Sequence, residues 1–252
     1  MVFYHSRLIQ QSAGIFLMNF KNLKIEKQEH IGIVFFNRPK KANALNHEHL
    51  KEIELAAKEF SDDAKTRVVI FTGSGNHFSS GADLTDPGTA YDVPLVQRRR
   101  RMRVGEKAIE AILNIDQITI AAWNGGAMGG GACIATACDF RIGTKESFMQ
   151  YPEIDIGVNL MWKSLPLIIN LVGPSRAKKL VVGGVRANAD QLERWGIFDE
   201  MAETTDLMTK ALEMASFYSQ KPPIAAQMIK QSINKYSNAL ASAVMHMDVD
   251  QN

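Results

Sequence analysis

The sequence predicts an α/β fold. Three observations carry that reading: β-type runs alternate with amphipathic helical segments, a glycine-rich stretch joins an apolar strand-like run to an apolar helix-like one, and the chain beyond Leu160 is mostly helical.

Leu23 to Lys27 and Ile31 to Phe36 are β-type runs separated by Gln28-Glu29-His30, the pattern of a hairpin. Asn37-Arg38-Pro39 breaks the second run. Asn46 is placed to cap a helix whose apolar side is marked by Leu50, Ile53, Ala57 and Phe60. Arg67 to Thr72 reads as a buried parallel strand. In the loop from Gly73 to Pro87, Phe78-Ser79-Ser80-Gly81-Ala82-Asp83-Leu84 offers Asp83 as the cap of a following turn. One helix is expected over Leu95 to Asn114, packed through Met102, Ile109, Ile112 and Leu113.

Between Trp123 and Asp139 the chain places five glycines in the seven positions 125–131, flanked by apolar Ile118 to Ala122 and Ala132 to Ala137. This spacing predicts a strand, a tight turn and a helix start at a buried junction. Glycine there permits positive φ and lets a ligand reach main-chain N–H groups, and the helix start favours an anion. The glycines fit neither G-x-G-x-x-G nor a P-loop, so a nucleotide-binding reading is weak despite Glu146 downstream. After this stretch come a strand over Asp139 to Ile142 and helices over Trp162 to Leu171, Ser175 to Val182, Asp190 to Trp195, Thr205 to Ser219 and Pro222 to about Met247. The C-terminal helices supply a second layer or an oligomer contact.

With 46% apolar and 22% charged residues among 252, the composition is that of an ordinary globular chain. A net charge of +2 gives no global drive toward nucleic acid or an anionic membrane. The run Arg98 to Arg101 with Arg103 points around a whole helix circumference, which suits a solvated or subunit-facing helix; nucleic-acid binding through it would be steeply salt-dependent. No apolar run reaches the roughly 18 to 20 residues that cross a bilayer. Cys133 and Cys138 match neither a metal-ligand nor a redox spacing and suit a reducing compartment. The expectation is a soluble cytoplasmic protein with no nucleic-acid partner, no membrane partner and no metal. Residues 1–20 contain no acidic side chain and read as an N-terminal extension, with Met18 as an alternative start.

Three segments recur in order: Phe78 to Leu84, Asn124 to Cys138 and Tyr151 to Gly157. Together with Asn37-Arg38-Pro39, Asn43-Ala44-Leu45, Gly173-Pro174 and Gly196-Ile197-Phe198-Asp199, they make the chain resemble the crotonase superfamily, the enoyl-CoA hydratase/isomerase family, from about Leu23 to about Ser237. The resemblance implies a crotonase-like spiral of ββα units over 21–195, followed by a helical trimerisation region over 196–252 that is shorter than usual. It implies an acyl-CoA substrate, no cofactor beyond the CoA of that substrate, and a homotrimer or homohexamer. It also implies that the N–H groups of Ala82 and Gly130 form an oxyanion hole, and that Lys40, Lys41, Ala42, Ser80, Asp83 and Leu84 lie along the CoA chain.

Family hydratases use two glutamates. Glu153 matches the second, whereas Cys133 stands at the first. A neutral thiol is a poor acceptor for a catalytic water, while shifting a double bond needs only one base. A carboxylate in an apolar pocket has its pKa raised from about 4.3 toward roughly 6 to 7, near operating pH. The sequence therefore favours an isomerase-type enzyme over a hydratase with an altered water site at a residue such as Asn159, or over a non-catalytic acyl-CoA-binding subunit. Asn159-Leu160-Met161-Trp162 replaces the glycine-rich residues common in the family and is expected to shorten or close the acyl pocket, which Cys133 also lines. Thr85 stands where many relatives carry lysine.

Overall fold

The computed structural model describes residues 20–86 and 93–245. Of the expected extension only Phe20 falls among them, and Pro87 and residues 246 and 247 of the expected last helix lie outside them. Strands β1 (Leu23–Gln28) and β2 (Ile31–Phe36) form the expected hairpin, turning at Glu29 with φ 49°. Helix α1 (His47–Ser61) begins where the Asn46 side chain accepts the His49 N–H at 2.8 Å, and it crosses over to β3 (Val68–Gly73), parallel to β2.

From β3 onward the chain repeats one unit: a strand in a large sheet, a short strand in a small sheet, then helix. In the first unit β3 is followed by β4 (His77–Ser79), α2 (Leu95–Met102) and α3 (Val104–Leu113). In the second, β5 (Ile118–Trp123) and β6 (Gly126–Met128) lead into α4 (Gly130–Ala137). In the third, β7 (Phe140–Thr144) and β8 (Phe148–Gln150) lead toward α5 (Leu165–Val181). Strands β9 (Ala187–Asn188) and β10 (Glu200–Ala202) close the edges, giving orders β1-β2-β3-β5-β7-β10 and β4-β6-β8-β9. This is the expected spiral of ββα turns.

The period of two along β3 and β5 divides the core. Val69, Phe71, Ala121 and Trp123 face a cluster shared with α1, α3 and α4, while Val68, Ile70, Ile120 and Ala122 face Leu207, Ala211 and Ala215 of α7 (Leu207–Ser219). Beyond it, α6 (Ala189–Arg194) starts at an Asn188 capping box, and α8 (Pro223–Ser237) and α9 (Ala241–Met245) follow α7.

Several elements differ from the sequence reading. The helix expected over Leu95 to Asn114 breaks at Arg103 (φ −79°, ψ 0°) into α2 and α3. The glycine run is not a plain strand, turn and helix, because β6 is inserted within it. The two helices expected between Trp162 and Val182 merge into α5 across a kink at Gly173 (φ 77°), and Trp162 lies in a turn before it. The C-terminal helix is interrupted at Asn238, separating α8 from α9.

Candidate active site

Three parallel strands of the small sheet deliver the three expected segments to one edge. β4 pairs with β6, and β6 with β8 in a register that sets Met128 opposite Gln150. Their carboxyl ends continue into Ser80-Gly81-Ala82, into Gly129-Gly130 and into Tyr151-Pro152-Glu153. Ligand sites of α/β sheets gather at such strand ends.

The bend after β4 is tied down by residues distant in sequence. Asn43 donates to the carbonyls of Ser74 (2.9 Å) and His77 (2.7 Å) and accepts the Arg38 N–H (3.0 Å). Arg38 in turn holds the Asp83 carboxylate at 2.8 Å and the Ala44 carbonyl. Thr85 caps the other Asp83 oxygen through its hydroxyl (2.6 Å) and N–H (3.0 Å). The Thr85 hydroxyl, then Arg38, pulls the Asp83 pKa down to about 2.

A parallel bridge pairs Leu45 with Ala82: Leu45 N–H donates to Gly81 O (2.8 Å) and Leu45 O accepts from Asp83 N–H (3.0 Å). That pattern leaves the Ala82 N–H on the opposite side of the segment. Gly130 is the first residue of α4, where an N–H has no intrahelical acceptor and the helix dipole favours negative charge. The two bends touch. Gly81 has φ 86°, and a Cβ there would stand 2.6 Å from the Met128 carbonyl oxygen and 3.4 Å from the Gly130 nitrogen. Only glycine lets the two segments approach this closely.

Glu153 sits in a 3-10 turn (Pro152–Ile156) that begins directly after Tyr151 and ends at left-handed Gly157. Its carboxyl lies against Gly129, with Oε1 2.6 Å from where a Cβ would be, and its Oε2 is buried without a hydrogen-bond partner. Burial raises the Glu153 pKa. Tyr151 is wholly buried beside it, and burial, then the neighbouring Cys133 and finally Glu153, push its phenol well above the usual range. Cys133 is buried one turn into α4, its N–H bonded to Gly129 O at 3.0 Å.

The structure therefore brings Ala82, Gly130, Cys133 and Glu153 to one edge of one sheet. Ala42, in the left-handed region at φ 47°, accepts the Ser80 N–H at 2.9 Å, which places the 40–42 turn beside the bend after β4. Lys40, Lys41 and Leu84 are exposed there. Asp83 is the turn cap that the sequence allowed, with its carboxylate engaged by Arg38 and Thr85. Sequence reasoning missed Leu45, whose Cδ1 would be 3.3 Å from a Cβ on Gly130, and Tyr151 as a buried neighbour of Glu153. It also missed the seat of Trp162, whose Cη2 would be 2.5 Å from that same Cβ. Of the α2 arginines, Arg99 and Arg100 are exposed and Arg98 and Arg101 half-buried, with Arg101 close enough to His47 to act on its charge. Among the described residues no three His, Cys, Asp or Glu side chains are grouped to hold a metal ion, and no helix is long and apolar enough to cross a membrane.

The sequence model of the enoyl-CoA hydratase/isomerase family matches residues 26–251. A short-chain-enoyl-CoA hydratase of Clostridium acetobutylicum is 32% identical over 219 residues, 86% of this chain and 83% of its own length. Among solved structures, an enoyl-CoA hydratase from Bacillus anthracis superposes with a TM-score of 0.80 at 27% identity, covering 92% of each chain. A monofunctional enoyl-CoA isomerase from M. smegmatis superposes with a TM-score of 0.74 at 26% identity, covering 86% of this chain and 94% of that one.

Proposed function

The chain belongs to the enoyl-CoA hydratase/isomerase family, and on that premise we propose that it is an isomerase-type member working through the single carboxylate Glu153. One observation carries this reading. The partly buried Glu153 carboxyl stands at the glycine turn that opens α4, while Cys133, buried in that helix, stands where the family resemblance puts the first of a hydratase's two glutamates.

A 3-enoyl thioester enters with its carbonyl oxygen accepting hydrogen bonds from the N–H groups of Ala82 and Gly130. Glu153 takes a proton from C2, and the electron pair moves onto the thioester oxygen to give an enolate conjugated with the C3–C4 double bond. Two fixed amides stabilise that charge without reorganising; a lost donor of this kind costs roughly 100-fold to 1,000-fold in rate. The neutral Glu153 carboxyl then returns the proton to C4, leaving the double bond between C2 and C3. The raised pKa of Glu153 suits both halves of this exchange. Lys40 and Lys41 meet CoA phosphates, and Ala42, Ser80, Asp83 and Leu84 line its path. The exposed apolar side chains of α8, Ile224, Met228, Ile229 and Ile233 among them, support a homotrimer or homohexamer.

The test is turnover of 3-enoyl-CoA and 2-enoyl-CoA thioesters. Wild type is expected to isomerise; Glu153→Gln should lose about 1,000-fold or more in kcat. Cys133→Ala should keep isomerisation within about threefold, since the thiol takes no part in this route. Hydratase names predominate among the similar proteins and favour a second reading, hydration with water held by another residue such as Asn159. Rapid hydration by the wild-type protein would establish that reading and overturn the first.

A further inference from the structure

We propose that Trp162 is a fixed stop in the acyl channel that confines the substrate to about four acyl carbons. This rests on reading Gly130 and Glu153 as the reacting end of the site. The indole is wedged between two helices at glycines: a Cβ on Gly105 of α3 or on Gly130 of α4 would overlap its ring. It therefore lies on helix backbone, beside the amide that holds the thioester oxygen and one residue from the glycine against which Glu153 rests. An acyl chain leaving that carbonyl past the Glu153 carboxyl meets the ring. Isomerisation itself requires C2, C3 and C4, so the shortest productive chain has four carbons, and the indole takes the space where later carbons would run.

The ring is locked rather than loosely tucked in. Trp162 and Lys163 both have positive φ, 65° and 56°, a conformation that non-glycine residues hold only where their surroundings over-determine it. Lys163 provides the tether. Its Nζ lies 2.7 Å from Glu106 and 2.5 Å from Glu110 on α3, and Arg103 braces the other oxygen of the buried Glu106 at 3.1 Å. The Ser164 hydroxyl donates to the Trp162 carbonyl at 3.2 Å. The turn carrying the indole is thus fastened to the helix that forms the far wall of its seat.

The test uses four-, six- and eight-carbon 3-enoyl-CoA thioesters for turnover and the saturated acyl-CoAs of the same lengths for calorimetric binding. An open apolar channel would strengthen binding by about fourfold per added methylene; a filled one reverses the trend. Wild type should favour four carbons over eight by at least about tenfold in both kcat/KM and Kd. Trp162→Ala should abolish or invert that preference, with Trp162→Phe in between. Eight-carbon binding by wild type as tight as four-carbon binding would overturn the proposal, as would an unchanged preference in Trp162→Ala. If Trp162→Ala does not fold, the wild-type series and Trp162→Phe still decide. A protein that turns over no thioester but shows the same break in Kd would refute the isomerase reading and leave this one standing.

Discussion

Glu153 has one carboxyl oxygen pressed toward the Gly129 backbone and the other buried without a partner, so ionising it in the folded chain removes hydration that nothing nearby replaces. Its folded-state pKa is raised above 4.5, which makes the charged group a cost to stability. The cost is absent below the unfolded-state value and grows as pH rises through the folded-state one. Glu153→Gln should therefore melt above the wild type at pH 8 and converge with it toward pH 4; equal melting temperatures across that range would show that the carboxylate is well solvated. For wild type, kcat/KM should rise with pH through the same raised value, because the base must be ionised. Part of this scale was legible in the sequence: Asn46 as a helix cap and Asp83 as a turn cap. The seat of Trp162 was not. It depends on Gly105, a glycine inside an unremarkable helical pattern, meeting a ring far along the chain.

At the scale of elements, the long strands of the large sheet were readable because each has enough residues to show its pattern, as β3 does with all six buried. The small sheet was not. Strands β4, β6 and β8 have three residues each, too few for a period of two to emerge, and β6 is hidden inside the glycine run. Yet these strands bring the bends carrying Ala82 and Gly130 to the same sheet edge as the Glu153 carboxylate. Their contact with α4 is tight: a Cβ on Gly131 would overlap the Ser79 carbonyl. Gly131→Ala should push α4 from β4, destabilising the fold by about 1–3 kcal/mol and lowering kcat more than it raises KM. Denaturant titration together with steady-state kinetics would check this, and a variant as stable and active as wild type would show that α4 can shift freely. The break between α2 and α3 escaped detection for a different reason: Arg103, which carries it, is an ordinary helix former, and its side chain pairs with Glu106 at 3.1 Å.

For the whole molecule, the spiral plan was implied by the family that the ordered motifs resemble, whereas the arrangement of the tail did not follow from local pattern. Helix α8 leaves Ile224, Met228, Ile229, Ile233 and Tyr236 exposed, and Ile229 and Ile233 among them line a groove of about 610 Å³ that runs along the end of α4 and the start of β7. Ile229→Glu with Ile233→Glu should convert an assembled protein to single chains in sedimentation; an unchanged mass would show that association uses another face. Beneath that helix the buried Lys230 ammonium joins Asp139 Oδ2 at 2.8 Å and the Gln117 carbonyl at 2.6 Å. Asp139 is the second residue after α4, and its carboxylate is also gripped by the Thr119 N–H and hydroxyl. The tail and the helix whose first turn carries Gly130 consequently share a hinge pin. On the proposed assembly, whatever braces α8 from outside also steadies the far end of α4, so specific activity should fall on dilution, and replacing the pin in Lys230→Met should uncouple rate from concentration.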